Sequence, residues 1–124
     1  MQKIISTENA PKAVGPYSQA VETNGFLFIS GQIAINPESG EIAVGIAAQT
    51  EQVMKNIGEI LTAAMLSYDN VAKCTCFLSD INDFGAMNEV FGKFFPQNPP
   101  ARALIGDVKL PKGVLIEIDA IAAK

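Results

Sequence analysis

Two stretches of this sequence carry charged side chains that stand out from their surroundings. "NPPARAL", residues 98–104, holds Arg102, the one arginine of the chain; the other eight basic residues are lysines. Nearer the C-terminus, "VLIEIDAIA", residues 114–122, sets Glu117 and Asp119 in an otherwise apolar run. Arginine offers a planar fork that grips a carboxylate through two parallel hydrogen bonds, a geometry that lysine lacks. A carboxylate in an apolar strand must find a partner or neutralise. Two arrangements satisfy both residues. In one, Arg102 and Glu117 pair across the "KLPKG" connection as an ion pair in or near an interface. In the other, Arg102 receives the carboxylate of a small ligand while the acid holds or deprotonates a water. Spacing alone leaves both open.

The rest of the catalytic menu is short. The chain has no histidine, so it can build no Ser-His-Asp triad, no Cys-His pair and no imidazole base. Its two cysteines, Cys74 and Cys76 in "KCTCFL", have no histidine and no second cysteine pair to join in a metal site. On a strand their thiols share a face at a separation too long for a disulfide, so buried free thiols are expected. No phosphate-binding loop is present. Gly31, in "ISGQIAINPESG", could admit a close approach of backbone to a ligand, or mark an ordinary turn or bulge. Tyr17, in "VGPYSQA", reads either as a wall and donor of a site or as half-buried packing. Lys73 reads as a solvated charge on an edge strand.

The elements that must position these residues follow from periodicity. Residues 1–16, with "NAPKAVGPY", read as loop. "QAVET" (19–23) and "FLFIS" (26–30) are short strands joined at Asn24-Gly25, a strong hairpin signal, and "NPESGE" (36–41) is a further turn. Residues 46–65 carry a helical stripe of Ile46, Val53, Ile57, Ile60 and Ala64, widened by Met54, Leu61 and Met65. "VAKCTCFLS" (71–79) is a strand. A second helix is expected over 83–95, with Phe84, Met87, Phe91 and Phe94 facing the core, Asn82 as its cap and Pro96 as its stop. Strands at 101–106 and 114–122 close the chain. On the last strand Val114, Ile116, Ile118 and Ala120 line one face, and Leu115, Glu117, Asp119 and Ile121 the other. Strands, helix, strand, helix, strands predict an α+β domain spanning 1–124, a mixed or antiparallel sheet of five or six strands backed on one face by two helices.

Bulk composition points the same way. A chain of 124 residues fits one domain with one core. Only 18% of its residues are charged, below the roughly 25% usual for soluble domains, which hints at buried subunit interfaces. The uncovered sheet face independently asks for a symmetric oligomer. The net charge of −4 and the lack of a basic cluster argue against nucleic acid. No apolar run reaches membrane-spanning length, and "MQKIISTENAPK" lacks the apolar core of a secretory signal, so the expected location is cytoplasmic, away from membranes.

Taken together, "NAPKAVGPYSQA", "SGQIAINPESGEI", "QTEQVMKNI", "INDFGAMNEVFGKFF", "PPARA" and "LPKGVLIEIDAIA" resemble the RidA (YjgF) family of reactive-intermediate deaminases, in the family's order and over nearly the whole chain. The resemblance implies a fold like bacterial chorismate mutase and a homotrimer whose sheets pack inward as a barrel, with clefts between subunits. It implies hydrolysis of 2-iminobutanoate and 2-iminopropanoate, and of their enamine tautomers, to 2-oxo acids and ammonia, with no cofactor. Residue by residue, Arg102 matches the arginine that grips the substrate carboxylate, and Glu117 the acid that activates water. The backbone around Gly31 and Leu104 matches groups that hold the imine nitrogen and the water. Tyr17, Ser30, Phe84 and Asn88 match cleft residues, some from the adjacent subunit. Leu104 departs from the cysteine found there in many bacterial members, so a role carried by backbone would survive and a thiol role would not. The rival expectation is a small-carboxylate-binding regulatory module of the same fold without turnover.

Overall fold

Asn24 and Gly25 turn the chain as their types predict. Both sit in the left-handed region, at φ 51° and 81°, which a tight two-residue hairpin requires. In the computed structural model, which describes residues 2–124, this turn joins β2 (Ala20–Thr23) to β3 (Phe26–Gln32), with Thr23 opposite Phe26. Ahead of them β1 (Lys3–Ile5) pairs with β2, inside the stretch expected as loop. Three residues are too few to display an alternation.

After β3 come α1 (Ile46–Ala63), β4 (Val71–Leu78), α2 (Phe84–Gly92), β5 (Ala101–Ile105) and β6 (Ile116–Ala123). The six strands lie in the order β1-β2-β3-β6-β4-β5. The pair β4–β5 is parallel, joined by the crossover through α2. Strands β3 and β4 both run antiparallel to β6, hence parallel to each other, and α1 is their crossover. Both helices lie on one face, α1 against β3, β6 and α2. The fold is the single α+β domain expected, with six strands.

The expected connection between the last two strands is not a pairing. β6 inserts between β3 and β4, so β5 lies two places away from it, at the edge. Lys73, expected on an edge, is on the inner strand β4, exposed where its pairing with β6 shifts register.

The helices fill the core with the predicted stripe. Val53, Met54, Ile57, Ile60 and Leu61 of α1 are sealed against Leu27, Ile29, Ile116 and Ile118 of the sheet. The stripe stops short of Met65, which is 92% exposed at φ 63°. There the Leu66 N–H reaches back to the Leu61 carbonyl at 2.8 Å, a helix end that normally recruits glycine at the left-handed position. Before α2, a single tight turn spans Ile81–Asp83, and its cap is Asp80, not Asn82: the Asp80 side chain accepts from the Asn82 N–H at 2.9 Å. α2 ends at Gly92, with Met87 and Phe91 buried and Phe84 half exposed.

Strand β6 sits mid-sheet with strict alternation. Ile116, Ile118, Ala120 and Ala122 are buried beneath the helices, and Glu117, Asp119 and Ile121 point to the other face. That second face also carries Ile4, Phe26, Phe28 and Ile105, each more than two-fifths exposed. No element among the described residues covers it.

Three buried amides tie irregular backbone to this frame. Asn56 of α1 donates to the Ile33 and Ile35 carbonyls at 3.1 and 3.0 Å and accepts from Gln52. Gln49 donates to the Ala43 carbonyl and accepts from the Leu115 N–H at 2.8 Å. Gln19 accepts from the Thr7 N–H and donates to carbonyls of Thr7, Ala10 and Pro11. Because Asn56 is 1% exposed, an apolar replacement strands two carbonyls without water. Asn56→Leu is expected to lower unfolding stability by about 2–4 kcal/mol, read from the urea midpoint.

Candidate functional site

The site begins with a fault in a strand ladder. Ile29 pairs with Ala120, but Gln32 pairs with Ile118, so β3 holds one residue more than β6 over this span. Such bulges re-aim backbone beside functional groups. Here the bulge sets Gly31 beneath Glu117. A Cβ at position 31 would collide with Glu117 Oε2 and lie 2.9 Å from its carboxyl carbon. Glycine is needed for this close approach, not for a turn, because Gly31 is absent from the positive-φ residues.

Glu117 opens into a cavity of about 540 Å³. Tyr17, Ser30 and Gly31 line it, together with Lys12, Gln19, Gln32, Pro111 and Lys112, which sequence reasoning did not single out. Tyr17 is 51% exposed and stands as a wall rather than as packing. The Ser30 hydroxyl donates to the Ser18 carbonyl at 2.6 Å, and the Ser30 N–H to the Gln19 carbonyl at 2.9 Å. Ser30 thus anchors the loop that carries Tyr17. Burial pushes the Glu117 carboxyl above the usual carboxylate range, and Asp119, two residues along the same face, adds to the effect. Asp119 is engaged itself, accepting from the Thr75 N–H at 3.2 Å. A carboxylate so raised is a stronger base than an ordinary one.

Arg102 is elsewhere. In register it sits beside Cys74, which pairs in turn with Ala120, and all three belong to the helix side of the sheet. Glu117 faces the opposite side. The guanidinium lies 5.2 Å over the Phe91 ring, a cation–π contact. The ion pairs among the described residues are Lys55–Glu51 and Lys124–Glu22. The expected bridge between Arg102 and Glu117 is therefore absent within one chain. The adjacency of their segments in sequence suggested it, and the insertion of β6 between β3 and β4 prevents it.

Leu104, Phe84 and Asn88 also stay out of the Glu117 cavity. Leu104 is two residues beyond Arg102 on β5, in register with Cys76. Phe84, Asn88 and Phe91 follow helical spacing along one side of α2. Asn88 Oδ1 is buried with no hydrogen-bond partner, an acceptor left open. The predicted site residues thus fall into two groups: Tyr17, Ser30, Gly31 and Glu117 around the cavity, and Arg102, Leu104, Phe84 and Asn88 toward the β5 edge and α2.

The thiols belong to neither chemistry. Cys74 and Cys76 are free and buried, as expected. Burial pushes them up to about 12 and about 11, against the opposing pull of Arg102, so neither ionises to a nucleophile at neutral pH. No group of three or more histidine, cysteine or acidic side chains among the described residues could hold a metal ion. No helix among the described residues is long and apolar enough to cross a membrane.

Known proteins resemble the chain along its full length. A family model described as endoribonuclease L-PSP matches residues 7–124. A RutC family protein of Pyrococcus horikoshii is 54% identical over 125 residues, covering 100% of this chain and 99% of that protein. The human 2-iminobutanoate/2-iminopropanoate deaminase is 48% identical over 123 residues, covering 98% of this chain and 90% of that protein. Among solved structures, Escherichia coli TdcF with bound serine superposes with a TM-score of 0.95 at 41% identity, covering 98% of each chain.

The raised carboxyl at Glu117 has a stability consequence. The folded chain binds that proton more tightly than the unfolded chain, so ionisation opposes folding as pH rises through the folded value. Below the usual carboxylate range, about pH 4, both states are protonated and the difference vanishes. Glu117→Gln is expected to raise Tm over wild type at neutral pH and to match it in acid, read by thermal unfolding across a pH series.

Proposed function

The chain belongs to the RidA (YjgF) family, whose model is described as endoribonuclease L-PSP, and from that premise we propose that it hydrolyses reactive 2-imino acids, with 2-iminobutanoate and 2-iminopropanoate as substrates, to 2-oxo acids and ammonia. The observation that carries the reading is the Glu117 carboxylate. It is seated on a glycine, raised by burial, and open to a cavity that a small molecule can enter.

Arg102 and Glu117 face opposite sides of one sheet, so a site that uses both draws them from two copies. The uncovered apolar face supports the same conclusion, since a closed ring of copies would bury it. A homotrimer with its sheets inward brings the β5 edge of one subunit to the Glu117 cavity of the next. Arg102 of the neighbouring copy then takes the substrate carboxylate through paired charge-assisted hydrogen bonds. Asn88, with its open acceptor, and Leu104 line the neighbour's side of the cleft.

The chemistry asks little more than position. The imine carbon is already electrophilic. Glu117 accepts a proton from water as the oxygen adds to that carbon. That proton passes to nitrogen to give the carbinolamine; its hydroxyl proton is then transferred to nitrogen as the C–N bond breaks, so ammonia leaves and the 2-oxo acid remains. No cofactor is required for these steps. Serine in the TdcF structure is of the right size and charge for such a cleft. A ribonuclease reading has less support: the chain has no histidine and a net charge of −4.

The test is a coupled assay. A serine/threonine dehydratase generates the imine, and release of 2-oxo acid is timed with and without this protein. Wild type is expected to accelerate release. Arg102→Ala discards two charge-assisted hydrogen bonds and is expected to lower kcat/KM by at least about 100-fold with the oligomer intact. Dissociation of that variant would assign Arg102 to assembly instead. Absence of acceleration by wild type, with retained binding of 2-oxobutanoate, would favour the regulatory module.

A further inference from the structure

We propose that the Glu117 cavity also takes 2-imino acids bearing a second carboxylate, and that Lys12 and Lys112 hold that group. The inference rests on the imine-hydrolase reading and extends its substrate class from monocarboxylates to dicarboxylates such as 2-iminosuccinate.

Two lysines, Lys12 and Lys112, and one acid, Glu117, are the charged residues of the cavity lining, on a chain whose net charge is −4. Neither lysine is in an ion pair among the described residues. Each rises from a fixed base. Lys12 follows Ala10 and Pro11, whose carbonyls accept at 3.3 and 2.8 Å from the buried amide of Gln19. Lys112 sits in the tight turn Pro111–Gly113 at φ 56° and ψ 18°, a left-handed conformation that lysine adopts at a cost and that glycine would adopt freely. That turn places Lys112 in the cavity lining shortly before β6, while Lys12 joins the lining from the N-terminal loop. The substrate's first carboxylate belongs to Arg102 of the neighbouring copy. The two lysines are therefore surplus to a monocarboxylate and matched in charge to a second one. As point charges on flexible stems, they also draw anions to the cavity mouth.

The chemistry is unchanged by the second group. Water adds to the C=N carbon, the C–N bond breaks, and one 2-iminosuccinate yields one oxaloacetate and one ammonia, with no oxidant or reductant.

The experiment compares 2-iminosuccinate, formed from L-aspartate by an aspartate oxidase, with 2-iminopropanoate from a dehydratase. The ratio of their kcat/KM values is read for wild type and for the Lys12→Gln/Lys112→Gln double variant. The ratio is expected to fall about tenfold in the variant, the loss of roughly one charge-assisted contact. In wild type, added sodium chloride should depress the dicarboxylate rate more than the monocarboxylate rate, a reading that needs no variant. An unchanged ratio in both tests would overturn the proposal while leaving imine hydrolysis standing. If neither imine is turned over, the imine-hydrolase reading fails separately, and calorimetry with malate and lactate decides the binding claim. Tighter malate binding that the double variant loses supports the lysine subsite; equal binding of the two acids overturns it.

Discussion

A strand in the middle of a sheet has two faces and no edge, and this protein uses both faces of β6 for different purposes. Ile116, Ile118, Ala120 and Ala122 complete the core beneath the helices. Glu117 and Asp119 between them cannot enter that core without a large desolvation cost. Alternation sends them to the opposite face, and a one-residue slip would exchange the two sets and destroy both. The position of the candidate base is thus fixed by the same register that fixes the core. The sheet face that receives Glu117 is the face left uncovered, so under the proposed function one assembly would both bury Phe26, Phe28 and Ile105 and complete a site.

Around that strand the cavity is built from loops, which carry unpaired backbone groups. Several of these groups are satisfied by side-chain amides in place of a ladder. Gln19 closes the loop before Tyr17, Asn56 holds Ile33 and Ile35, and Gln49 fixes the entry to β6 at Leu115. These contacts convert flexible walls into walls of defined position, which a water-activating site needs. Gly31 adds the last restraint by letting a carboxylate rest on backbone where any side chain would displace it.

Much of this was legible in the sequence. The hairpin at Asn24-Gly25, the apolar stripe of α1, the buried thiols of β4 and the two-faced pattern of β6 all came from local rules that tertiary structure did not override. Arg102 and Glu117 stood out by type, because each was anomalous in its surroundings. Their relation did not. Segments close in sequence were expected to pair, but strand order is decided by crossovers, and β6 closes the gap that the α1 crossover leaves between β3 and β4. Asn82 yielded its capping role to Asp80 because a tight turn intervenes before α2. Met65 left the apolar stripe because the chain leaves the helix there in a left-handed residue that is not glycine. Lys12 and Lys112 gave no signal, since an isolated lysine in a turn looks like any solvated charge. The family resemblance implies a cleft shared between subunits, and the apolar face with nothing over it asks independently for a symmetric oligomer.

The central claim is that Glu117 and Arg102 act on one substrate from two copies of the chain. Subunit mixing tests it directly. Arg102→Ala and Glu117→Gln chains are co-expressed, and the mixed oligomer is assayed for imine hydrolysis beside each variant alone. A site shared between neighbours predicts that two inactive chains restore activity, to about a quarter of wild type in a randomly mixed ring, because one pairing in four unites an intact Glu117 with an intact Arg102. A mixed oligomer no more active than its separate parents would contradict the account.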